Sequence, residues 1–353
     1  MRRLYLSCAT LGAGGAERVI SILSTPFAAH YNEVKICLWI SAPIFYKIDE
    51  RVTIVDIEKE TGSKNILRKM LWFRKYIISE SPDLILSFLY PWSMKVLISL
   101  AFIKVPVVVA ERQDPRVVRG GWLIKQFRHL LYLNTKGILV QTIENKHYYT
   151  GRLKQKTFAI YNPVRIDQGW VGRALNTPKT DTIVTVGRLN VAKNHKLLIN
   201  AFEKFVNKYP HYCLHIYGEG DLREELQNNI DAKGLHKHVY LMGNSNDVFA
   251  DIISSKAFIL SSTYEGMPNA LLEAMCLGLP CISTKVSGAT ELIISGENGI
   301  LVDSNEEALL DAMELITNST YAVKLAKNAT LLYNRVNVDC ICNQWINYLD
   351  NLI

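Results

Sequence analysis

Short apolar runs alternate with longer segments of helical periodicity along the whole chain. The apolar runs are rich in Val, Ile and Leu, and turn-forming residues bound most of them. Strands that alternate with helices predict parallel sheets, because each crossover helix returns the chain to the same end of the sheet. The pattern therefore predicts an α/β protein. The predicted strands are residues 4–9, 34–39, 53–56, 84–88, 107–111, 137–141, 157–160, 182–187, 213–217, 239–242, 257–261, 281–283 and 299–301.

The length of 353 residues predicts two domains. The strand at 157–160 leads into Asn162-Pro163, an element typical of turns, and a polar stretch follows before the next strand. We therefore predict a hinge within 162–175, with one domain at 1–165 and a second at 166–337. The remaining segment, 338–353, has the spacing of an amphipathic helix.

Composition narrows the class of protein further. Hydrophobic residues make up 49% of the chain and charged residues 21%, as in globular proteins. The sequence has no apolar run of the roughly 18 residues that a membrane span needs, and we expect no signal peptide. The seven cysteines are odd in number and form no C-x-x-C motif. They are predicted to be buried thiols in a reducing cytosol.

Positive charge is concentrated in the first half of the chain. Residues 1–165 carry 25 Lys and Arg against 12 Asp and Glu, whereas the remaining residues carry 15 against 21. Within the stretches 64–75 and 112–128, the basic residues are interleaved with aromatic and aliphatic ones. Such stretches suit an anionic membrane surface or a lipid-diphosphate acceptor, although a solvated charged face has the same composition. Nucleic acid is not expected as a partner, because no nucleic-acid-binding motif accompanies the charge.

The segment 263–284, TYEGMPNALLEAMCLGLPCIST, contains two glutamates eight positions apart. Gly266 and Pro268 predict a loop around Glu265, and a compact helix should begin near Pro268 and end before Gly278. Glu273 then lies inside the helix among apolar neighbours, an unusual place for a carboxylate without a ligand or partner. The start of the helix offers backbone N–H groups to an anion.

The pattern E-G-x-P-x-x-x-x-E-A-x-x-x-G-x-P in this segment resembles the E-x7-E element of retaining glycosyltransferases of family 4. The resemblance implies the GT-B fold: two Rossmann-like, doubly wound parallel-sheet domains that face a central cleft, with the final helix packed back on the first domain. It also implies that Glu265 contacts the donor sugar and that Glu273 binds the ribose. Further donor contacts are implied for Gly266, Met267, Pro268, Asn269, Ala270 and Leu271.

A second element, Gly187-Arg188-Leu189 with Lys193-Asn194, follows a predicted strand and precedes a helix. Ligands bind at such strand ends in doubly wound sheets, and two cations there suit a diphosphate. The element matches the pyrophosphate-binding motif of family 4, so Arg188 and Lys193 are predicted to stabilise the leaving diphosphate. Gly218 and Gly243 follow later strands, where the family binds nucleobase and ribose; ordinary turns remain an alternative.

The glycine-rich loop after the first strand differs from a dinucleotide-binding fingerprint. The G-x-G-x-x-G pattern that starts at Gly12 has Glu17 in place of its last glycine, which excludes an NAD enzyme of this type. Gly14 and Gly15 can still let a phosphate or a sugar approach the backbone. Family 4 has a similar G-G-A-E-R loop at the junction of donor and acceptor.

Three charged residues lie at or just after the end of the strand at 107–111. Glu111, Arg112 and Asp114 are the candidate acceptor-binding residues, and either carboxylate could orient or deprotonate an acceptor hydroxyl. Family 4 often has a histidine where Arg112 stands, so the role of that histidine does not transfer. Arg112 could instead hold an acceptor diphosphate or the donor phosphate. The catalytic base remains open.

The resulting prediction is a retaining, metal-independent glycosyltransferase without a cofactor. It would move a hexose or N-acetylhexosamine from a nucleotide diphosphate sugar, with UDP expected, to a glycan or a polyprenyl-diphosphate-linked saccharide, in cell-surface polysaccharide or O-antigen assembly. The expected location is the cytoplasmic face of the membrane, bound peripherally. A GT-B sugar-nucleotide epimerase and a non-catalytic sugar-nucleotide-binding protein are the alternatives. A glycoside hydrolase is disfavoured. Its two carboxylates must lie about 5 to 9.5 Å apart, whereas a loop and more than a helical turn should separate Glu265 from Glu273 by roughly 10 Å or more.

Overall fold

A computed structural model describes residues 2–117 and 121–353. Residues 118–120, which belong to the basic stretch 112–128, lie outside the described residues. Contacts divide the chain into two compact units: Met1–Pro163 together with Val338–Ile353, and Val164–Asn337. Among the described helices, none combines the length and the apolar character that crossing a membrane requires.

In the described part of the first unit, seven parallel strands form one sheet in the order β3-β2-β1-β4-β5-β6-β7. The strands are β1 (Arg3–Cys8), β2 (Glu33–Leu38), β3 (Thr53–Asp56), β4 (Leu84–Phe88), β5 (Val107–Ala110), β6 (Gly137–Val140) and β7 (Thr157–Ala159).

The sheet of the second unit has six described strands, also parallel, in the order β10-β9-β8-β11-β12-β13. These strands are β8 (Thr182–Val186), β9 (Cys213–Tyr217), β10 (Val239–Gly243), β11 (Ala257–Leu260), β12 (Cys281–Thr284) and β13 (Ile300–Val302). Each predicted strand overlaps an observed one. The predicted fold class, two Rossmann-like parallel-sheet domains, is confirmed.

Helices connect the strands and cover both sheets. In the first half of the chain they are α1 (Gly15–His30), α2 (Ile57–Thr61), α3 (Ile66–Glu80), α4 (Tyr90–Ser99), α5 (Gly121–Tyr132), α6 (Ile143–Tyr148) and α7 (Gly151–Gln155). In the second half they are α8 (His195–Lys208), α9 (Arg223–Ala232), α10 (Val248–Ile252), α11 (Asn269–Leu277), α12 (Ser287–Leu292), α13 (Glu306–Leu315), α14 (Ser319–Thr330), α15 (Tyr333–Val336) and α16 (Val338–Asp350).

The first sheet is buried on both faces, as parallel sheets are. Alternate residues of β1 belong to different hydrophobic clusters: Leu4 and Leu6 to one, Tyr5 to the other. The last helix, α16, packs against α1 and completes the first of these clusters. Its Trp345 is fully buried, with its ring 6.1 Å from that of Phe88.

All seven cysteines are free thiols, as predicted. Five of them are buried, but Cys213 and Cys340 are only half-buried, so the prediction of burial was wrong for these two. Burial raises the pKa of the Cys37 thiol to about 12, which keeps it protonated at neutral pH. The structure therefore favours packing over reactivity for this thiol.

Strand order marks one position in each sheet where ligands are expected. In the first sheet, β2 lies on one side of β1 and β4 on the other; in the second, β9 and β11 flank β8 in the same way. The chain thus runs from β1 through β2 to β3 on one side and then crosses to β4 on the other side of β1; β8, β9, β10 and β11 repeat this arrangement. Doubly wound sheets bind ligands at the carboxyl ends of strands at such a switch point.

Candidate active site

The loop after β8 is held in shape by its own asparagines. The Asn190 side chain accepts a hydrogen bond from the Lys193 backbone N–H, which caps a short 3₁₀ turn, Val191–Lys193. Asn194 then adopts a left-handed conformation (φ 48°), which asparagine tolerates better than most residues, and α8 begins. Lys193 is therefore fixed at the end of the loop, beside the switch point.

The loop after β11 brings Glu265 to the same place. Lys193 Nζ donates to Glu265 Oε1 at 2.5 Å, and the Ser262 hydroxyl donates to the same oxygen at 2.7 Å. The backbone N–H of Thr263 donates to the carbonyl of Ala192 at 2.8 Å, so the two loops are also joined through the main chain. The structure thus brings together two residues that the sequence predicts for the donor site.

This ion pair remains accessible from solvent. The Lys193 side chain is 20% exposed and that of Glu265 is 14% exposed. Arg188, in the same loop as Lys193, is exposed, and its guanidinium contacts none of the described residues through a hydrogen bond or an ion pair. One paired cation and one free cation therefore lie in the loop after β8.

His195 packs beneath the surface of the protein against the loop that follows β8. Its side chain is buried, and its Nε2 lies 3.3 Å from the Arg188 carbonyl oxygen. Burial, with a smaller contribution from the nearby charge of Lys193, lowers the pKa of His195 to about 4. His195 is therefore neutral at pH 7 and adds no charge to the site.

Helix α11 begins as the sequence predicts and carries the second glutamate. Pro268 stands at its N-cap without a side-chain hydrogen bond, and Gly278 ends it in a left-handed conformation (φ 84°). Glu273 is buried within the helix, whereas Glu265 lies in the preceding loop. Met267 is buried as well. The first N–H groups of α11 follow the Glu265 loop directly, which suits an anion beside that loop.

Gly288, at the start of α12, is not among the residues that the sequence predicts for the site. A Cβ there would lie 2.5 Å from Pro268 Cδ and 2.7 Å from Met267 Cα, which is too close for any side chain. The backbone of α12 therefore packs directly on the loop between Glu265 and α11. The signal in the sequence is a glycine just after a strand, which only the tertiary packing explains.

The predicted glycines of the second unit meet at the carboxyl ends of β8, β9 and β10. The Gly187 N–H donates to the Tyr217 carbonyl at 2.9 Å, and the Gly218 N–H donates to the Gly243 carbonyl at 2.7 Å. Gly218 has a φ of 132°, and a Cβ there would run into the Gly187 carbonyl. Gly218 therefore requires glycine where the three strand ends meet, and Gly243 adopts a left-handed conformation (φ 75°) that favours glycine, whether or not either residue also touches a ligand.

In the first unit, the loop after β1 ends at the start of α1. Gly14 is the N-cap and Gly15 the first residue of the helix, with no side-chain cap. A Cβ on Gly14 would run into the Glu17 carboxylate, which folds back over the helix start. The structure thus places an acidic group at the helix start where the sequence predicts an approach of phosphate or sugar.

Glu111 is buried in the first unit, with 2% of its side chain exposed. The Tyr132 hydroxyl donates to Glu111 Oε1, and Arg128 NH1 lies 3.6 Å from the same oxygen. Burial raises the pKa of Glu111, and the charge of Arg128 opposes that shift. This placement favours a structural role for Glu111 over the predicted contact with an acceptor.

Asp114 and Arg112 are buried too. The Asp114 carboxylate is held by Arg116, with one nitrogen to oxygen distance of 2.8 Å. Arg112 donates to the Asn162 side-chain oxygen and lies over the Trp345 ring, 5.6 Å from its centre. Its Nε and NH1 have no hydrogen-bond partner, and burial lowers its pKa to about 9. Glu111 and Asp114 are thus paired with arginines, whereas Arg112 keeps two nitrogens without a hydrogen-bond partner.

Comparison with known proteins shows the family of the second unit. The model of the family "Glycosyl transferases group 1" matches residues 172–331, which include the loop of Arg188 and Lys193, both glutamates and Gly288. The protein is a glycosyltransferase. The narrower prediction of family 4 remains a prediction.

One relative of the glycosyltransferase aligns along nearly the whole chain, and another aligns along part of it. A Campylobacter jejuni enzyme is 24% identical over 99% of this chain and 98% of its own length; it is named GalNAc-alpha-(1->4)-GalNAc-alpha-(1->3)-diNAcBac-PP-undecaprenol alpha-1,4-N-acetyl-D-galactosaminyltransferase. An Escherichia coli protein, UDP-Gal:alpha-D-GlcNAc-diphosphoundecaprenol alpha-1,3-galactosyltransferase, is 32% identical over 40% of this chain and 38% of its own length.

A solved structure confirms the GT-B fold of the glycosyltransferase. Anabaena HepE, in complex with UDP and glucose, superposes with a TM-score of 0.80 and covers 99% of this chain and 100% of its own, at 16% identity.

The described residues of the glycosyltransferase also bear on two further predictions. Within residues 2–117 and 121–353, no three His, Cys, Asp or Glu side chains form a group that could hold a metal ion. In the basic stretch 64–75, Lys69 is buried and donates to the Trp39 carbonyl and to Glu58, and Arg74 donates to the carbonyls of Ser99 and Ala101. The interpretation of Lys69 as a membrane-facing charge was wrong, because its side chain is buried, whereas Arg74 is half-buried and helps to attach α3.

Proposed function

We propose that this glycosyltransferase is a retaining, metal-independent enzyme that uses a UDP-sugar. It would transfer a hexose or an N-acetylhexosamine to a hydroxyl of a saccharide linked to a polyprenyl diphosphate. The observation that carries this proposal is the Lys193–Glu265 ion pair at the switch point of the second sheet, with the free guanidinium of Arg188 in the same loop. A diphosphate and a sugar hydroxyl are ligands that such a group of charges can hold at once.

In this proposal, each charged residue of the site in the second unit binds a different part of the donor. Arg188 and Lys193 bind the diphosphate together with the N–H groups at the start of α11. Glu265 accepts hydrogen bonds from the hydroxyls of the sugar and holds Lys193 in place, since the two side chains are already in contact. Glu273, one helical turn further, binds the ribose hydroxyls.

The reaction needs no covalent intermediate with the protein. The bond between the anomeric carbon and the β-phosphate oxygen breaks, and the acceptor oxygen forms its bond on the same face of the sugar. The acceptor proton passes to a phosphate oxygen of the departing nucleoside diphosphate. Arg188 and Lys193 stabilise the negative charge that builds on that phosphate, and fixed electrostatic stabilisation of this kind is usually the largest catalytic contribution.

The names of the relatives support the choice of donor and acceptor. Both relatives described above are named for acceptors on undecaprenyl diphosphate, and the Escherichia coli protein is named for UDP-Gal as donor. Both names specify alpha linkages. An alpha-linked product from an alpha-linked sugar nucleotide retains the anomeric configuration, as the proposal requires.

A polyprenyl-linked acceptor places the reaction at a membrane surface. We propose that the glycosyltransferase binds the cytoplasmic face of the inner membrane peripherally. The excess of positive charge in residues 1–165 supports this, since anionic lipids attract basic surfaces.

Nucleotide release from a panel of sugar nucleotides tests the function. We expect UDP release that depends on a lipid-linked saccharide, persists in EDTA and falls strongly in Glu265→Gln. Conversion of the donor to an epimer without acceptor would instead favour the epimerase alternative. Tight donor binding without release, with any acceptor, would favour a non-catalytic binding protein.

A further inference from the structure

Helix α5 turns its apolar side outward. Its exposed side chains include Trp122 (70% exposed), Leu123 (73%), Phe127 (45%) and Leu130 (59%). The residues that face the protein are mostly polar or amphipathic: Arg128 and Tyr132 are buried, Lys125 and His129 are half-buried, and Leu131 is the one apolar residue among them that packs against the core. A surface helix normally has the opposite arrangement, with the apolar stripe against the core.

A buried cation holds α5 in this orientation. Arg128 is fully buried, 3.6 Å from Glu111, and donates to the Pro115 carbonyl at 3.2 Å. The rings of four tyrosines lie within 5.7 to 6.0 Å of its guanidinium carbon: Tyr90, Tyr132, Tyr148 and Tyr149. An Arg–carboxylate pair in an aromatic cage attaches the helix firmly while its apolar residues stay outside.

The segment of the chain that contains α5 is positively charged, and most of this charge is uncompensated within the segment. Residues 84–165 contain 13 Lys and Arg against only three Asp and Glu. Each of these three acids already has a cation: Glu111 has Arg128, and both Asp114 and Glu144 have Arg116. Beside the end of α5, Arg152 and Lys156 also line a cavity of about 480 Å³ with Leu133. The segment that carries the apolar face therefore has a large excess of cations, and two of them lie beside Leu133 at the end of α5.

This combination favours a lipid bilayer over other partners. A second copy of the chain would bring two positive surfaces together, which costs electrostatic energy. An anionic bilayer offers negative headgroups for the cations and an apolar interior for the exposed side chains. Amphipathic helices with Trp, Phe and Leu on one face and cations nearby bind membranes in this way.

We propose that α5 is the membrane-inserting element of this protein, with Trp122, Leu123, Phe127 and Leu130 in the acyl-chain boundary of an anionic bilayer. The buried Arg128–Glu111 pair positions the helix, and the surrounding cations contact lipid phosphates. The inference rests on the proposed function, because a lipid-linked acceptor is the reason for insertion.

Cosedimentation of the full chain with vesicles tests the insertion. The vesicles contain equal parts of phosphatidylglycerol and phosphatidylethanolamine, and phosphatidylcholine vesicles give the reference. We expect the double variant Leu123→Ser/Phe127→Ser to lose about tenfold or more in partitioning. The matched control is Val323→Ser/Leu331→Ser, two exposed apolar residues of the second unit, which should bind as the wild type does.

Quenching by brominated acyl chains gives a second measurement that does not depend on the double variant. Trp122 should account for most of the quenching of tryptophan fluorescence, so Trp122→Phe should abolish most of it. Equal sedimentation of wild type and double variant, or quenching that survives Trp122→Phe, would overturn the insertion of α5. A dimer that the double variant dissociates, with unchanged vesicle binding, would overturn it in favour of self-association.

The proposed function is measured separately, by UDP release in the absence of vesicles with a water-soluble saccharide acceptor. The double variant should keep that activity, because none of its changed residues lies in the donor site. Vesicle binding without any UDP release would contradict the proposed function and leave the insertion of α5 supported.

Discussion

Both units of this glycosyltransferase carry charged residues at the carboxyl ends of their strands, but the two units use them differently. After β8 and β11 of the second unit, Lys193 and Glu265 pair with each other and stay partly exposed. After β5 of the first unit, Glu111 and Asp114 are buried and paired with arginines from the same unit. Lys193 and Glu265 remain accessible to a ligand, whereas Glu111 and Asp114 are buried against their partners.

The difference shows that a charged residue at a strand end does not by itself indicate a ligand-binding site. Its place at the carboxyl end of a parallel strand makes contact with a ligand possible in either sheet. Whether it makes that contact depends on side chains that fold in from elsewhere, such as Arg128 and Tyr132 on α5, which fill the space around Glu111. Four predictions test this contrast, from the largest expected effect to the smallest.

The largest effect should come from Glu111→Ala. Removing one partner of a buried ion pair leaves Arg128 charged and unpaired, which costs about 3 to 5 kcal/mol of unfolding free energy. Five of the six tryptophans lie in the first unit, so fluorescence during urea unfolding reports mainly on that unit. The control Glu144→Ala removes an exposed partner of Arg116 and should cost less than about 1 kcal/mol. Normal stability with lost turnover would restore the predicted contact of Glu111 with the acceptor.

In the second unit, Lys193→Ala should affect turnover rather than stability. We expect turnover to fall by about 10²- to 10³-fold, because the leaving diphosphate loses a fixed positive charge. The matched control is Lys196→Ala, three residues further on, whose exposed side chain pairs loosely with Glu225 at 3.6 Å. UDP release by both variants decides the point. Similar activities would remove Lys193 from the donor site.

Stability should depend on pH through His195. Its pKa of about 4 in the folded protein lies below the ordinary value of 6.5, so the unfolded chain binds the proton first. The contribution is fully present above pH 6.5 and is lost as the pH falls towards 4. Between pH 7.5 and pH 5 the loss amounts to about 2 kcal/mol. His195→Gln should remove that part of the slope in urea unfolding at the two pH values; an unchanged slope would exclude His195 as its source.

The smallest effect concerns the loop that carries Glu265. In Gly288→Ala, the new methyl group meets Pro268 and Met267, so the loop must shift. A shift of a few tenths of an ångström should raise KM for the sugar nucleotide about tenfold. Gly169→Ala, where a Cβ would meet no atom within 4 Å, is the control. If both variants keep the wild-type KM, the position of this loop does not limit donor binding.

The sequence predicted most of what defines the second unit. Apolar runs located the strands, in places to the residue, as at Cys213–Tyr217. The breakers Pro268 and Gly278 located α11 because they act locally, through backbone conformation alone. Gly288 was not predicted as a site residue. The absence of a side chain is required there by contact with a loop about twenty residues earlier, which the local sequence does not reveal.

In the first unit, charge was the misleading signal. Lys69 and Arg74 belong to a basic stretch, but they donate to carbonyls of neighbouring elements and thereby attach α3. Arg128 lies in the second basic stretch and is fully buried. A long side chain can cover apolar surface and reach a distant acceptor, so its charge does not tell which side of a helix faces solvent.

The most direct test of the central claim is a crystal structure of the glycosyltransferase with a UDP-sugar. The diphosphate should lie within hydrogen-bond distance of Arg188 and Lys193 at the start of α11, with Glu265 on the sugar and Glu273 on the ribose. A nucleotide bound elsewhere in the chain, with the Lys193–Glu265 pair untouched, would contradict the account.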